Sequence, residues 1–329
     1  MQKRGLLQKA YRFLGENGSF AGLIFMVAIA TAINASFLTP TNISNVLRQL
    51  STNLVISLGM AIVIIAGSID LSVGSLYCLS AFFAIYFSQF GAVVAVAATL
   101  VISTFIGAIN GFLITKMRIH PWIATLSMML GLRGLVLILS GENTYKPPVS
   151  NSAFEAISRA TFLNYLNHPI VIMVALALVV WAYLRFTPMG RDVYACGGNM
   201  EAARMMGVKV DRTLLFSHMI SGFLTGVSGI ILASRIGSVS PLAGDGEEMY
   251  AIAACVVGGV HLSGGRGKIS GVFVGAVIIG LLTNIFNMQK GLSTFWESVI
   301  TGSLVFVVVL LQRLASLREE RRQKVTEAI

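Results

Sequence analysis

Long apolar segments follow one another through most of the chain, and they restrict it to one kind of fold. In a lipid interior every backbone amide must be hydrogen-bonded within the protein, so a spanning segment is either a helix or a strand of a closed barrel. These segments lack the alternating pattern of a barrel strand. An α-helix crosses about 30 Å of hydrocarbon in about 20 residues. We therefore predict an all-α integral membrane protein with about ten transmembrane helices, two of them short, at 20–38, 52–67, 71–90, 92–115, 122–140, 169–186, 213–233, 249–264, 269–288 and 295–311.

The composition agrees with a protein that faces lipid. Hydrophobic residues make up 55% of the chain and charged residues only 12%, whereas a soluble domain is about 25% charged. The first apolar segment is rather long for a signal peptide and further spans follow at once, so we expect it to stay uncleaved. Cysteines 78, 196 and 255 form no CxxC pair and no histidine cluster is near, so neither a disulfide framework nor a metal site is predicted. Only Cys196 lies in a polar loop, and we expect it alone to react with a charged thiol reagent.

The net charge of +10 comes from cations placed between the spans and on the tails. They do not form one amphipathic face, which argues against nucleic-acid binding. With ten spans both termini lie on one side of the membrane. That side carries 18 of the 24 lysines and arginines and is therefore predicted to be cytoplasmic. Arg133 lies within a span, and the five remaining cations lie outside: Arg48, Lys146, Arg159, Arg235 and Lys290.

This topology divides the chain into three parts. Residues 1–19 form a cytoplasmic N-terminal segment, 20–312 the transmembrane domain, and 313–329 a cytoplasmic tail with both basic and acidic residues. Two hydrophilic loops interrupt the transmembrane domain. The loop 141–168 is predicted outside and the loop 187–212 inside.

The inner loop contains the pattern of a short capped helix. Gly197 and Gly198 would end any helix before it, Asn199 would cap its N-terminus, and Gly207 would end it as a C′ glycine. Glu201 would place a negative charge in the first turn, where the helix dipole favours an anion. Such a helix either docks on a protein partner, since methionine side chains adapt to grooves, or lies on the membrane surface. Its apolar surface is predicted to contain Ala202, Ala203, Met205 and Met206.

Several polar residues lie within or between the apolar segments. A carboxylate near the membrane interior is expensive. Asp70 therefore either bonds backbone amides where two helices are interrupted, with Ser72 and Ser75 as hydroxyl partners, or lines a polar path through the membrane. Arg133 either finds a partner on other helices or snorkels, and substrate contact is the alternative. Three asparagines either bond the hydroxyl groups of a ligand or join helices to one another: Asn110, Asn284 and Asn287.

Motifs of other protein classes are weak. LSGGR at 262–266 has the form of an ATPase signature, but no lysine is followed by Ser or Thr, so the phosphate-binding GxxxxGK[ST] loop is absent. GVSG at 226–229 resembles the motif of rhomboid proteases, with His261 as a candidate base. Close helix packing through Gly222, Gly226 and Gly229 explains that segment more simply. An ion-coupled secondary transporter would need intramembrane acids or histidines, and Asp70 is the only strong candidate.

Ordered blocks of sequence resemble the ribose-type permeases of ATP-binding-cassette sugar importers. Glu201-Ala202-Ala203, followed after three residues by Gly207, resembles the EAA loop by which importer permeases dock on their ATPase subunits. Gly190-Arg191 and YACGGN at 194–199 flank it and resemble the same group. SIDLSVGS at 68–75 also does, although the usual pattern begins with glycine.

A last block reads GDGEEM at 244–249 and continues as AIAA at 251–254, with Met249 where the usual pattern has leucine. It extends through GG at 258–259, LSGG at 262–265 and Gly267. The matches run in order from about Val46 to Gln312. Each block alone is weak, but the ordered set is specific.

The resemblance implies a non-enzymatic permease subunit that moves a monosaccharide across a bacterial inner membrane, surrounded by lipid. It implies no cofactor on this chain, since ATP and Mg would bind a separate cytoplasmic ATPase, and it implies a second copy of the chain and a periplasmic sugar-binding protein. Similar permeases carry ribose, xylose, arabinose, allose, galactofuranose and the furanose-like autoinducer-2. Contacts with the binding protein are expected from charged outer residues: Arg48, Arg159, Arg235, Asp245, Glu247 and Glu248.

Overall fold

The structure is a computed structural model that describes residues 18–34, 36–149, 151–162, 166–289, 296, 298–310, 312 and 314. Most of the predicted N-terminal segment and C-terminal tail therefore lie outside the described residues, as does Lys290. The helices are α1 (Gly18–Ile33), α2 (Pro40–Ile65), α3 (Val73–Ser88), α4 (Ala92–Thr115), α5 (Pro121–Ser140), α6 (Ser152–Arg159), α7 (His168–Phe186), α8 (Pro188–Gly198), α9 (Met200–Met205), α10 (Val210–Ile236), α11 (Glu247–Val257), α12 (Ile269–Met288) and α13 (Ser298–Leu310).

Six of these helices are long and apolar enough to cross a membrane: α2, α4, α5, α7, α10 and α12. They confirm the predicted all-α membrane protein. Each of the ten predicted segments contains a described helix, but α1, α3 and α13 are shorter apolar helices and α11 has only 11 residues.

The predicted outer loop 141–168 has structure of its own. Helix α6 begins after Asn151, whose side chain accepts a hydrogen bond from the Phe154 amide at 3.0 Å. Two short antiparallel strands follow, β1 (Thr161–Phe162) and β2 (Leu166–Asn167). Tyr145 also exchanges backbone hydrogen bonds of 2.9 and 3.0 Å with Val239, which fastens this loop to the segment after α10.

Helix α2 runs through the centre of the molecule. It begins twelve residues before the predicted span, because Pro40 suits the first turn of a helix and the Thr39 hydroxyl accepts a bond from the Asn42 amide at 3.4 Å. From residue 50 to residue 65 all but one of its residues are buried. Its C-terminal half is therefore surrounded by protein.

Helices α4 and α10 approach each other closely through glycine, as the sequence predicted. A Cβ at Gly222 would overlap the Ser103 carbonyl oxygen, and one at Gly226 would overlap the Ser103 hydroxyl. A Cβ at Gly229 would lie 2.6 Å from the Ser80 Cβ on α3. These three glycines bring α10 against two neighbours at backbone distance.

Candidate functional site

The loop 187–212, which the sequence predicts to lie inside, contains two short helices. Helix α8 begins where the Thr187 hydroxyl accepts the Gly190 amide at 3.0 Å. It ends at Gly198, so the glycine pair lies at the end of a preceding helix, as the sequence predicted. Gly190 packs directly on the backbone of Leu184 at the end of α7. Arg191 lies exposed one residue further on.

Helix α9 has the predicted caps. The Asn199 side chain accepts the Ala202 amide at 2.9 Å. At the other end Gly207 has φ +88, and the Val208 amide returns to the Ala203 carbonyl at 3.0 Å. That backbone conformation favours glycine. The prediction of a capped helix at 200–205 is confirmed.

The exposed surface of α9 differs from the predicted one in one residue. Met205 and Met206 are 83% and 85% exposed, and Glu201 and Ala202 are exposed as well. Ala203 is 5% exposed and faces the protein, because one side of so short a helix must pack against its own chain. The tip of α9 is therefore a methionine pair extending beyond the fold.

Several backbone segments meet at a group of five glycines close to the start of α9. We call this group the glycine junction: Gly67, Gly197, Gly198, Gly264 and Gly265. The Gly265 amide donates a hydrogen bond of 2.9 Å to the carbonyl oxygen of Ile65, which is the last residue of α2. A Cβ at Gly67 would lie 3.1 Å from the Met200 Cε and 3.2 Å from the Gly197 Cα. The junction therefore joins α9 to the end of α2 and to the loop that follows α11.

Ion pairs hold the other end of α9. Arg204 and Arg118 both contact the Asp211 carboxylate, at 3.4 and 3.2 Å. The side chains of Arg118, Arg204 and Asp211 are 63%, 56% and 32% exposed. Ion pairs as exposed as these contribute little to stability. They orient α9 relative to α10 and to the end of α4.

Asp70 lies between α2 and α3, fully buried, in a polar cluster. Its Oδ1 accepts the Ser72 amide at 3.0 Å and the Ser72 hydroxyl at 2.6 Å. The Asn110 amide of α4 donates to the Ser72 hydroxyl at 2.8 Å and lies 3.4 Å from Asp70 Oδ1. His218 Nδ1 of α10 lies 3.5 Å from Asp70 Oδ2. The segment between α2 and α3, helix α4 and helix α10 therefore all contact one carboxylate.

Sequence reasoning missed two members of this cluster, His218 and Ser68. The His218 Nε2 lies 3.0 Å from the Ser68 hydroxyl. The only signal in the sequence was one histidine inside an apolar segment. The order Ser68–His218–Asp70 resembles a catalytic triad, but their exposures of 7%, 0% and 0% leave no access for a substrate.

The other polar residues predicted to line a path occupy varied positions. Ser75 is fully buried. Asn284 exchanges hydrogen bonds of 3.0 and 2.9 Å with Asn42 of α2, and Asn287 is exposed near the end of α12. Arg133 donates to the carbonyl oxygens of Pro241 and Ala243 at 3.3 and 3.4 Å, and contacts Asp245 at 3.4 Å. A loop, not another helix, supplies its partners.

The predicted outer contacts fall into two groups. In the first, Arg159 pairs with Glu155 within α6, Asp245 pairs with Arg133, and Glu248 is 8% exposed beside Gly74. In the second, Arg48, Arg235 and Glu247 line one polar pocket. The GVSG serine, Ser228, donates to the Thr52 carbonyl at 2.9 Å, which gives a packing role to the motif that resembled a protease.

The three cysteines are all buried, so the prediction of a reactive Cys196 is wrong. Cys196 is 1% exposed because the loop that was expected around it is helix α8, packed on the protein. Burial raises the pKa of the Cys196 thiol. Less of the reactive thiolate is therefore present at neutral pH.

We expect a charged maleimide to label native Cys196 slowly at pH 7. The rate should keep rising with pH after that of an exposed cysteine has levelled off, because the raised pKa keeps the thiol protonated for longer. A Met206→Cys variant should react at least about tenfold faster, since residue 206 is 85% exposed. The measurement is labelling followed by mass spectrometry. Equal rates for Cys196 and the cysteine at 206 would contradict the buried position.

Comparisons with known proteins agree with the ordered blocks of sequence. A model of the family described as branched-chain amino acid transport system / permease component matches residues 42–309. The ribose import permease protein RbsC of Bacillus subtilis (strain 168) is 41% identical over 301 residues, which cover 91% of this chain and 93% of that protein. RbsC of Escherichia coli (strain K12) is 36% identical over 91% of this chain and 94% of its own length.

A relative named for another sugar is also similar. The D-allose transport system permease protein AlsC of Escherichia coli (strain K12) is 33% identical over 90% of this chain and 92% of its own length. No solved structure gives a significant match. The chain therefore belongs to the branched-chain amino acid transport system / permease component family, and within it to the ribose-type permeases of ATP-binding-cassette monosaccharide importers.

Proposed function

We propose that two copies of this chain form the channel of the importer, with an ATPase subunit bound to α9 of each copy and a sugar-binding protein bound outside. An importer permease of this family works with an ATPase and a binding protein in general. ATP and Mg would be held by the ATPase. The relatives are named for ribose, allose, xylose and galactose, so we propose a neutral pentose or hexose as substrate, with an autoinducer-2-type furanose as the alternative.

We propose ten membrane helices with both termini in the cytoplasm. The six long helices would be joined by the four shorter apolar ones, α1, α3, α11 and α13. The cation distribution supports the orientation. Helix α9 would then face the cytoplasm, where an ATPase subunit is available.

The methionine tip of α9 is the observation that carries the docking proposal. Met205 and Met206 are largely exposed outside the packed helices, where large apolar side chains would otherwise be costly to leave in water. Methionine fits irregular grooves because its side chain is unbranched and flexible. An apolar groove on the ATPase is the partner that such a short helix suits.

The glycine junction supplies a route from this docking surface to the membrane helices. Because Gly197 is in contact with Gly67 and with the Ile65 carbonyl oxygen, a displacement of α9 must also move the end of α2 or the loop after α11. The end of α2 leads directly to Asp70 and to α3. ATPase closure would thereby reach the helices that separate the inner and outer faces.

The double variant Glu201→Lys, Gly207→Val is expected to lose its ATPase. A β-branched residue in the left-handed conformation costs about 1–2 kcal/mol, and nothing lies within 4 Å of a Cβ at 207, so the effect is one of backbone conformation. Lysine at 201 reverses the favourable charge in the first turn. Binding protein should no longer stimulate ATP hydrolysis, and less ATPase should co-purify with the permease.

Two variants, each with one methionine replaced by glutamine, provide a matched control for that experiment. Met206→Gln should weaken ATPase co-purification, whereas Met249→Gln, at a position 59% exposed on the predicted outer side, should not. Membrane insertion should be normal in all these variants. A double variant at 201 and 207 that keeps its ATPase and imports sugar at the wild-type rate would exclude α9 from coupling.

A further inference from the structure

The N-terminal half of α2, which we propose to face outward, carries a polar face. Asn45, Arg48, Gln49, Thr52 and Asn53 are spaced at 0, 3, 4, 7 and 8 residues, so they share one side of the helix. Helix α2 is nevertheless long and apolar enough to cross the membrane. A polar face on such a helix is costly against lipid and therefore marks protein contact or a water-filled space.

The structure shows a space on this face. These five residues line one open pocket of about 450 Å³, which α3, α10 and the residues that lead into α11 also border. The opposite wall contributes Tyr77, Arg235 and Glu247. Small-molecule sites are typically about 300–1,000 Å³, so this volume is enough for a monosaccharide with some water.

The lining offers both hydrogen-bond donors and acceptors. Two arginines and a tyrosine donate, a glutamate accepts, and the amides of Asn45, Gln49 and Asn53 can do both. Among the described residues, Gln49 and Asn45 use their side chains in no hydrogen bond. The Asn53 Oδ1 accepts a hydrogen bond from the Thr52 hydroxyl at 3.0 Å. That contact orients the side-chain amide of Asn53 and therefore also its NH2 group.

Part of the pocket is held in place by its own neighbours. Arg48 donates to Asn167 Oδ1 at 3.1 Å, and Arg235 donates to the Arg48 carbonyl oxygen at 3.2 Å. Both guanidinium groups are therefore oriented by neutral oxygens and keep further N–H groups for other partners. The site is assembled from α2, β2 and α10 before any ligand arrives.

From this arrangement we infer that the pocket is an outer subsite for a neutral, polyhydroxylated molecule: the sugar, after its release by the binding protein. Each sugar hydroxyl needs a donor and an acceptor, which the mixed lining supplies. The two arginines would attract an anionic ligand, but that ligand would also meet the Glu247 carboxylate, whereas a neutral polyol can hydrogen-bond to all three groups. This inference rests on the proposed sugar import and assigns Arg48, Arg235 and Glu247 to the sugar instead of to the binding protein.

The test uses the whole transporter, with ATPase and binding protein, reconstituted in liposomes. Sugar uptake and ATP hydrolysis are measured together with whichever of D-ribose, D-xylose, D-allose or D-galactose the wild type imports best. In Gln49→Leu, Asn53→Leu we expect uptake for each ATP hydrolysed to fall about tenfold. Stimulation of ATP hydrolysis by the binding protein should stay within about twofold of the wild type. Gln89→Leu is the matched control, because Gln89 bonds the Tyr86 carbonyl of its own helix at 3.0 Å and is outside the pocket.

Each other outcome contradicts a different part of the inference. If uptake and stimulated ATP hydrolysis fall together, the pocket belongs to binding-protein docking. If uptake by the double variant stays at the wild-type level, the pocket is not on the path. The single variant Gln49→Leu, at a half-buried position, has the same expected direction and decides the question should the double variant not assemble. A wild type that imports none of the four sugars would contradict the proposed substrate class itself, before any variant is compared.

Discussion

We expect Gly197→Ala to disable the transporter, because the new Cβ would overlap the Ile65 carbonyl oxygen. That oxygen accepts the Gly265 amide at 2.9 Å, so three stretches of backbone must separate to make room for one methyl group. Overpacking of this kind costs about 1–3 kcal/mol, and weakening the hydrogen bond adds about 0.5–1.5 kcal/mol. We expect a lower yield of folded permease and, in the folded fraction, a loss of sugar uptake while the ATPase still binds.

The neighbouring glycine is the control. A Cβ at Gly198 has nothing within 4 Å, so Gly198→Ala adds the same atom without a clash and should behave like the wild type. Yield is measured by size-exclusion chromatography in detergent, and uptake in liposomes. If the two alanine variants import sugar equally well, the glycine junction does not transmit the motion of α9.

The helices and the caps of α9 were predictable from local sequence. Apolar segment length identifies helices in a bilayer because backbone hydrogen bonds leave no other choice, and Asn199 and Gly207 act within a few residues of their own positions. The beginning of α2 was harder to predict. Its first turns carry polar residues, several of which line the pocket, so hydropathy alone placed the span twelve residues too late.

Contacts between distant segments could not be predicted in the same way. Asp70 and His218 are 148 residues apart in the sequence, and the residues around either one do not predict contact with the other. The same holds for the pocket, whose residues come from α2, α3, α10 and the start of α11. Cys196 shows the reverse error, since polar neighbours suggested a loop whereas tertiary packing buries the side chain in a helix.

The second large effect is expected at Asp70, where leucine should prevent normal folding and asparagine should not. Leucine leaves the Ser72 amide and hydroxyl without the oxygen that they contact at 3.0 and 2.6 Å. Each buried group left unpaired costs about 1–3 kcal/mol. Asparagine keeps one oxygen that can accept from these donors.

Asp245→Leu is the control for this experiment. The Asp245 side chain is 79% exposed, and its one ion pair with Arg133 is 3.4 Å long, so its loss should change the folded yield little. Yield and thermal stability in detergent are measured for all three variants, and uptake for those that fold. We expect Asp70→Leu to lose most of its folded material and Asp70→Asn to stay near the wild type. If both Asp70 variants fold normally and both abolish uptake, the carboxylate does not serve to join the segment between α2 and α3 to α4 and α10 but acts on the sugar path itself.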